Sequence, residues 1–179
     1  MIQGLIWVLL AMHPNFANSE IPASQKAFFQ NLSTKCGAVY EGYSYFPNDP
    51  EDSFHGKLLV AEISSCSAGE IRIRFTVGED RSRTWIFTLS EKGLLLKHDH
   101  RHEDGTPDEI TNYGGWANEK GTDLMQFFPA DDHTKSLLPA AATNVWQIAF
   151  DPKMQSLIYY LERDGKPRFK AVLTLKKSS

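Results

Sequence analysis

Hydrophobic and polar residues alternate with a period of two along most of the chain that follows Cys36. This alternation is typical of strands with one buried face, because successive side chains of a strand point to opposite sides. Short groups of turn-forming residues, such as those at positions 67–69 and 164–167, separate the runs. The pattern predicts ten strands, at residues 38–46, 57–64, 70–77, 83–90, 93–102, 109–117, 122–129, 144–151, 155–163 and 168–175.

Two segments depart from the alternation. Residues 21–33 carry apolar side chains at a helical spacing and begin near a proline, which predicts one helix at the start of the fold. Residues 130–143 interrupt the strands, and we expect a loop with one helical turn that lies over one barrel mouth. Within this loop, we interpret residues 131–133 (Asp-Asp-His) as an acidic turn that caps a short helix.

The short turns favour antiparallel neighbours, because parallel strands need long crossover connections. A flat meander of about ten strands has two exposed edges, and closure into a barrel removes them. We therefore expect a mainly β protein, an antiparallel meander closed as a barrel with one N-terminal helix. A two-sheet β-sandwich is the alternative.

The N-terminal residues 1–19 contain no charged side chain, and Leu5 to Met12 form a compact apolar run. A run of this length is too short to span a bilayer but suits the apolar region of a secretory signal peptide. Small residues at Ala17 and Ser19 are compatible with cleavage before Glu20. We predict a signal peptide at 1–19, a single β-barrel domain at 20–179, and a secreted or periplasmic protein without stable membrane insertion.

The two cysteines and the overall charge narrow the class of protein. In an exported chain an even number of cysteines favours a disulfide, here between Cys36 and Cys66. The formal net charge is −3 and no basic stripe is evident, so we expect no nucleic-acid partner.

Three histidines occupy every second position at the end of the fifth predicted strand: His98, His100 and His102. Alternate side chains share a face, so the three imidazoles continue the apolar row of Leu94 and Leu96. The residues between them are mostly charged and are expected to face solvent. We therefore expect the imidazoles to point into the barrel, near one mouth.

The following strand adds further candidates. If the turn at residues 104–107 closes a hairpin, we expect Asn112 opposite His100, Gly114 opposite His98, and Trp116 opposite Leu96. A glycine opposite an imidazole leaves space for a ligand. The predicted ligand-binding residues are His98, His100, His102, Asn112, Gly114 and Trp116.

Three interpretations of the histidine row remain open. The first is a metal site, in which His98 and His100 converge on one ion; His102 lies about 13 Å along the strand from His98 and does not fit the same ion easily. The second is a polar pocket for a small organic ligand in the barrel mouth. The third is a hydrogen-bonded polar plug that closes the barrel end.

Sequence motifs for catalysis are absent: the chain has no GxSxG elbow, no HExxH helix and no glycine-rich phosphate loop. We therefore favour a non-enzymatic protein. One alternative is a lyase, isomerase or hydrolase that uses His98 or His100 as acid or base. Another is a protein-binding inhibitor that acts through its loops. No cofactor is indicated, and the oligomeric state is open.

One leading helix, about ten antiparallel strands and a mouth-covering segment resemble the calycin-type barrels, which include lipocalins and fatty-acid-binding proteins. The segments "LLLKHDHRHEDGTPDEITNYGGW" (94–116) and "FPADDHTKSLLPAAATNVW" (128–146) are similar to those of small exported bacterial proteins. The resemblance implies a barrel that binds a small apolar molecule. The expected function is therefore an exported β-barrel that binds a small molecule in a histidine-lined pocket.

Overall fold

The computed structural model describes residues 20–176 of the 179-residue chain. The predicted signal peptide at residues 1–19 lies outside the described residues. The described part consists of helices α1 (Ala23–Ser33) and α2 (Asp132–Leu137), a 3₁₀ turn (Pro139–Ala141), and strands β1 (Val39–Phe46), β2 (Leu59–Cys66), β3 (Glu70–Val77), β4 (Asp80–Ser90), β5 (Gly93–His100), β6 (Tyr113–Trp116), β7 (Met125–Pro129), β8 (Val145–Asp151), β9 (Ser156–Arg163) and β10 (Lys166–Leu175).

All ten strands belong to one antiparallel sheet in the order β6-β5-β4-β3-β2-β1-β10-β9-β8-β7. The terminal strands β6 and β7 approach each other through two backbone hydrogen bonds, from the Asn118 N–H to the Phe127 oxygen and from the Asp131 N–H to the Gly114 oxygen, both 2.9 Å. The sheet therefore curls into a nearly closed barrel. The predicted mainly β meander of ten antiparallel strands with a leading helix is confirmed, and the alternative two-sheet sandwich is not observed.

The seam between β6 and β7 depends on Gly115. A Cβ atom at this position would lie 1.8 Å from the Pro129 carbonyl oxygen, so no side chain fits without moving a strand. Pro129 has no N–H and cannot donate a ladder bond. Instead α2 joins the seam, because the Thr134 hydroxyl accepts a 2.7 Å bond from the Gly114 N–H. The Asp131 side chain caps α2 by accepting from the Thr134 N–H, which confirms the interpretation of the acidic turn.

The inward side chains of the strands fill the barrel, and α1 covers one of its mouths. Phe28, Phe29 and Leu32 of α1 are buried against the core. The Phe28 ring lies 6.1 Å from the Phe150 ring, measured between centroids. Burial of each such side chain contributes roughly 1.5–3 kcal/mol to the stability of the folded state, which explains why α1 packs against this mouth. We call this mouth the helix end, and the opposite mouth, where β5 ends at His100, the histidine end.

A disulfide joins Cys36 to Cys66. It connects the segment after α1 to the last residue of β2, at the helix end. The predicted pairing is therefore confirmed. Within residues 20–176, we find no helix whose length and apolar character would let it cross a bilayer.

Candidate functional site

His98 lies deep in the barrel, with only 2% of its surface exposed. It ends a buried row with Leu94 and Leu96, as the alternation of β5 predicts. Its imidazole stacks on the Tyr113 ring at a centroid distance of 4.8 Å and lies 5.2 Å from the Trp146 ring. His98 therefore belongs to a packed aromatic cluster.

Both ring nitrogens of His98 make hydrogen bonds. Nδ1 lies 3.2 Å from the Tyr113 carbonyl oxygen, and Nε2 lies 3.1 Å from the Tyr159 hydroxyl oxygen. A carbonyl oxygen only accepts, so the proton of the neutral ring is assigned to Nδ1. Nε2 must then accept from the Tyr159 O–H. This arrangement satisfies the imidazole entirely with protein groups.

Burial keeps this cluster uncharged. Burial, together with the smaller effect of the charges of His100 and Lys97, lowers the pKa of His98 to about 3, against the opposing effect of the hydrogen bond to the Tyr113 carbonyl. Burial also raises the pKa of Tyr113 to about 12 and the pKa of Tyr159 well above its usual range. General acid–base catalysis is most efficient when the pKa lies near the working pH. His98 is thus poorly suited to the acid–base role that the enzyme alternative gave it.

The other two histidines lead from the interior to solvent. His100 is half-buried, and its Nε2 lies 3.0 Å from the Tyr113 hydroxyl. Burial lowers the pKa of His100, as does the charge of Arg83. His102 lies beyond the end of β5, and its side chain is 47% exposed. The expectation that all three imidazoles point into the interior is therefore wrong for His102, because the strand ends before it.

The pairs between β5 and β6 differ by one residue from the predicted ones and are the pairs that a hairpin symmetric about residues 104–107 gives. His98 pairs with Tyr113, Lys97 with Gly114, and Leu95 with Trp116. Asn112 adopts a positive φ of 57°, and its N–H bonds to the His98 oxygen at 2.7 Å.

The shift determines where the predicted residues lie. Trp116 is on the outer face and 37% exposed, and Asn112 is exposed. Gly114 is buried opposite Lys97, on the side covered by α2. Tyr113 takes the place beside His98 that was predicted for Gly114. Sequence reasoning missed Tyr113 and Tyr159; Tyr113 could have been found, because a hairpin symmetric about residues 104–107 places it opposite His98.

A metal ion at His98 Nε2 would have to displace the Tyr159 hydroxyl. Among residues 20–176, the donor atoms of His102, Asp108 and Glu109 lie within 4.8 Å of one another. They belong to a solvent-exposed hairpin, where acidic side chains commonly cluster without an ion. Ligand binding at the six residues named from the sequence stays a prediction.

A cavity of about 520 Å³ lies at the helix end of the barrel. Its apolar wall is made mainly by inward-facing side chains of β1, β8 and β10 and by the residue before β7. Tyr40 and Phe150 are buried, and their rings lie 6.2 Å apart between centroids. The lining residues are Thr34, Lys35, Cys36, Ala38, Tyr40, Leu124, Phe150, Asp151, Pro152, Gln155, Ser156 and Leu175.

The lining also carries polar groups, among them one ammonium and one carboxylate. The Lys35 ammonium lies 5.3 Å from the centroid of the Phe150 ring. The Asp151 carboxylate accepts from the Lys153 and Met154 N–H groups of the hairpin between β8 and β9. Ser156 is buried, and its Oγ has no hydrogen-bond partner within residues 20–176.

Two further cavities differ in character from the helix-end cavity. One, of about 480 Å³, lies along the outer face of β1 and is lined by exposed residues such as Tyr43 and Tyr45. The other, of about 540 Å³, lies between charged loops at residues 79–82 and 101–103. Of these three cavities, the one at the helix end has a buried aromatic wall, and hydrophobic and aromatic side chains are typical of the walls of small-molecule sites.

Comparison of the chain with protein-family models, with curated proteins and with solved structures finds no match. Inference about function therefore depends on the geometry of the barrel and its cavities.

Proposed function

We propose that this chain is an exported, calycin-like β-barrel that binds a small organic molecule. The observation that carries the proposal is the helix-end cavity of about 520 Å³, which falls within the range of small-molecule sites, roughly 300–1,000 Å³. The mouth of a small antiparallel barrel is also a common place for one ligand. The disulfide supports export, because disulfides persist in oxidising compartments.

The helix end fits a ligand better than the histidine end does. At the histidine end, His98 is packed against aromatic rings and fully hydrogen-bonded. At the helix end, Tyr40 and Phe150 offer an aromatic wall beside open volume. Ser156 also lines this cavity, and its buried hydroxyl has no hydrogen-bond partner within residues 20–176. A histidine-lined pocket is the alternative position for the same function.

A fluorescence titration with the uncharged dye N-phenyl-1-naphthylamine tests the proposal. We expect saturable binding, and native mass spectrometry should show one dye per chain. Ala38 lines the cavity, so Ala38→Trp should fill it and weaken binding at least tenfold. His100→Gln, at the other mouth, serves as the matched control and should leave binding unchanged.

The outcomes separate the two positions. Loss of binding in His100→Gln but not in Ala38→Trp would move the site to the histidine end. Absence of saturable binding in the folded wild-type protein would overturn the proposal. If Ala38→Trp does not fold by circular dichroism, Leu124→Trp, at the same cavity and outside the strands, replaces it.

A further inference from the structure

We infer that the helix-end cavity selects a singly charged organic anion with an aromatic body, and that Lys35 holds the anionic group. This inference rests on the proposed function and names the chemical class of its ligand. It follows from the charge balance of the lining, the position of the Lys35 ammonium and the aromatic wall beneath it.

The lining contains one ammonium group, on Lys35, and one carboxylate, on Asp151. Oδ1 of Asp151 is held on the hairpin turn by the N–H groups of Lys153, at 2.9 Å, and Met154, at 3.1 Å. Lys35 makes no ion pair within residues 20–176. The ammonium is therefore available to pair with an anionic ligand, whereas the carboxylate already accepts two backbone N–H groups through Oδ1.

The backbone at Lys35 is anchored, and one contact orients its side chain. Its backbone N–H bonds to the Leu32 oxygen at the end of α1, and the next residue, Cys36, is held by the disulfide. The ammonium lies 5.3 Å from the Phe150 ring centroid, within the range of a cation–π contact. Less conformational freedom is lost when a ligand meets a side chain that is already positioned.

The same geometry indicates an aromatic body. An anion that pairs with the Lys35 ammonium brings its apolar part against Phe150 and Tyr40, whose rings are tilted by 54° to each other. Aromatic rings prefer such offset or tilted neighbours. The negative end of the α1 dipole opposes an anion here, so we expect charge selectivity of only a few fold.

Two dyes with the same anilinonaphthalene skeleton test the inference. One is 8-anilinonaphthalene-1-sulfonate, a monoanion, and the other is uncharged N-phenyl-1-naphthylamine. Lys35→Gln should weaken binding of the sulfonate about fivefold, the upper range for a partly exposed ion pair. It should change binding of the uncharged dye by less than about twofold. Lys35→Arg should keep most of the sulfonate affinity.

The matched control is Lys57→Gln, an exposed lysine away from the cavity, which should change neither affinity. Equal loss of both dyes in Lys35→Gln, or no loss of the sulfonate, would overturn the inference while leaving small-molecule binding intact. Failure of both dyes to bind the folded wild-type protein would overturn the proposed function itself.

Discussion

The Tyr159 hydroxyl donates a hydrogen bond to Nε2 of His98 across 3.1 Å in the barrel interior. The two residues belong to β9 and β5, which are not neighbours in the sheet. The bond therefore ties facing walls of the barrel together. It also occupies the nitrogen that a metal ion or substrate would need.

We expect Tyr159→Phe to lower the free energy of unfolding by about 1–3 kcal/mol, because Nε2 of His98 would become a buried acceptor without a donor. Urea denaturation measures the change. Tyr160→Phe is the matched control, because Tyr160 lies next along β9 with its side chain on the outer face. Its effect should stay within about 0.5 kcal/mol. Equal effects of the two substitutions would contradict a structural role for the bond.

The stability of the protein should depend on pH through His98. In the unfolded chain a histidine takes up a proton below its ordinary pKa of 6.5, whereas burial lowers the pKa of folded His98 to about 3. Between these values the unfolded state binds more protons, so stability rises with pH and is lost as pH falls from 6.5 towards 3. The slope is about 1.4 kcal/mol per pH unit.

His98→Gln removes this titration. We expect the wild-type protein to lose roughly 2 kcal/mol more than His98→Gln between about pH 7 and about pH 5. His133→Gln, which changes an exposed histidine, should keep the wild-type dependence. Denaturant titrations at the two pH values measure the free energy of unfolding of each variant. Equal losses of stability in wild type and His98→Gln would refute the prediction.

The barrel was predictable because the sequence features that indicate it, alternation within each strand and short turns between strands, are local. Alternation along β5 already placed Leu94, Leu96 and His98 on the buried face, and short turns implied antiparallel neighbours. What the alternation could not show is that the pairing shifts by three residues between the Arg101–Pro107 bridge and the His98–Tyr113 pair, in a segment where Asn112 adopts a positive φ. No periodic pattern reports the conformation of a single residue.

The helix-end cavity was missed for a different reason. Its lining joins Lys35, Tyr40 and Phe150 with residues of several other segments that are far apart in the sequence. Within its own segment, each of these side chains has the pattern of an ordinary core or surface residue. Only the curvature of the sheet and the end of α1 bring them together. The histidines, in contrast, are closely spaced in the sequence and were therefore predicted as a site, although His98 is packed in the core.

Gly115→Ala should open the seam between β6 and β7. The added methyl would meet the Pro129 carbonyl oxygen, so the strands must separate, with an expected loss of about 1–3 kcal/mol of stability. Hydrogen exchange of the Asp131 amide should accelerate, since its bond to Gly114 crosses the same seam. Gly69→Ala is the control, because a Cβ there meets its nearest atom at an ordinary 3.7 Å. An unchanged exchange rate of the Asp131 amide in Gly115→Ala would contradict the role of Gly115 in closing the seam.

Removal of the disulfide should destabilise the barrel without changing its strand order. The cysteines are 30 positions apart, and the entropic model gives a loss of about 3–4 kcal/mol for Cys36→Ser with Cys66→Ser. Chemical denaturation of oxidised, reduced and substituted protein measures it. Reduced wild type should match the double variant, and reduction should leave the variant itself unchanged. No difference between oxidised and reduced wild type would contradict the prediction.

Asp151→Asn should strengthen binding of an anion at the helix end. The carboxylate of Asp151 lines the cavity and repels a negative ligand, whereas an asparagine oxygen can still accept the Lys153 and Met154 N–H groups. We expect the affinity for 8-anilinonaphthalene-1-sulfonate to rise about two- to threefold, an effect that added salt should reduce. The uncharged dye should bind as before.

Asp49→Asn is the matched control for this effect, because Asp49 Oδ1 also accepts a backbone N–H, from Glu51, in an exposed turn outside the cavity lining. An equal rise in both variants would indicate a general effect of net charge. A rise confined to Asp151→Asn and to the charged dye would place the anionic group of the ligand at the helix-end cavity, because Asp151 is the carboxylate of its lining.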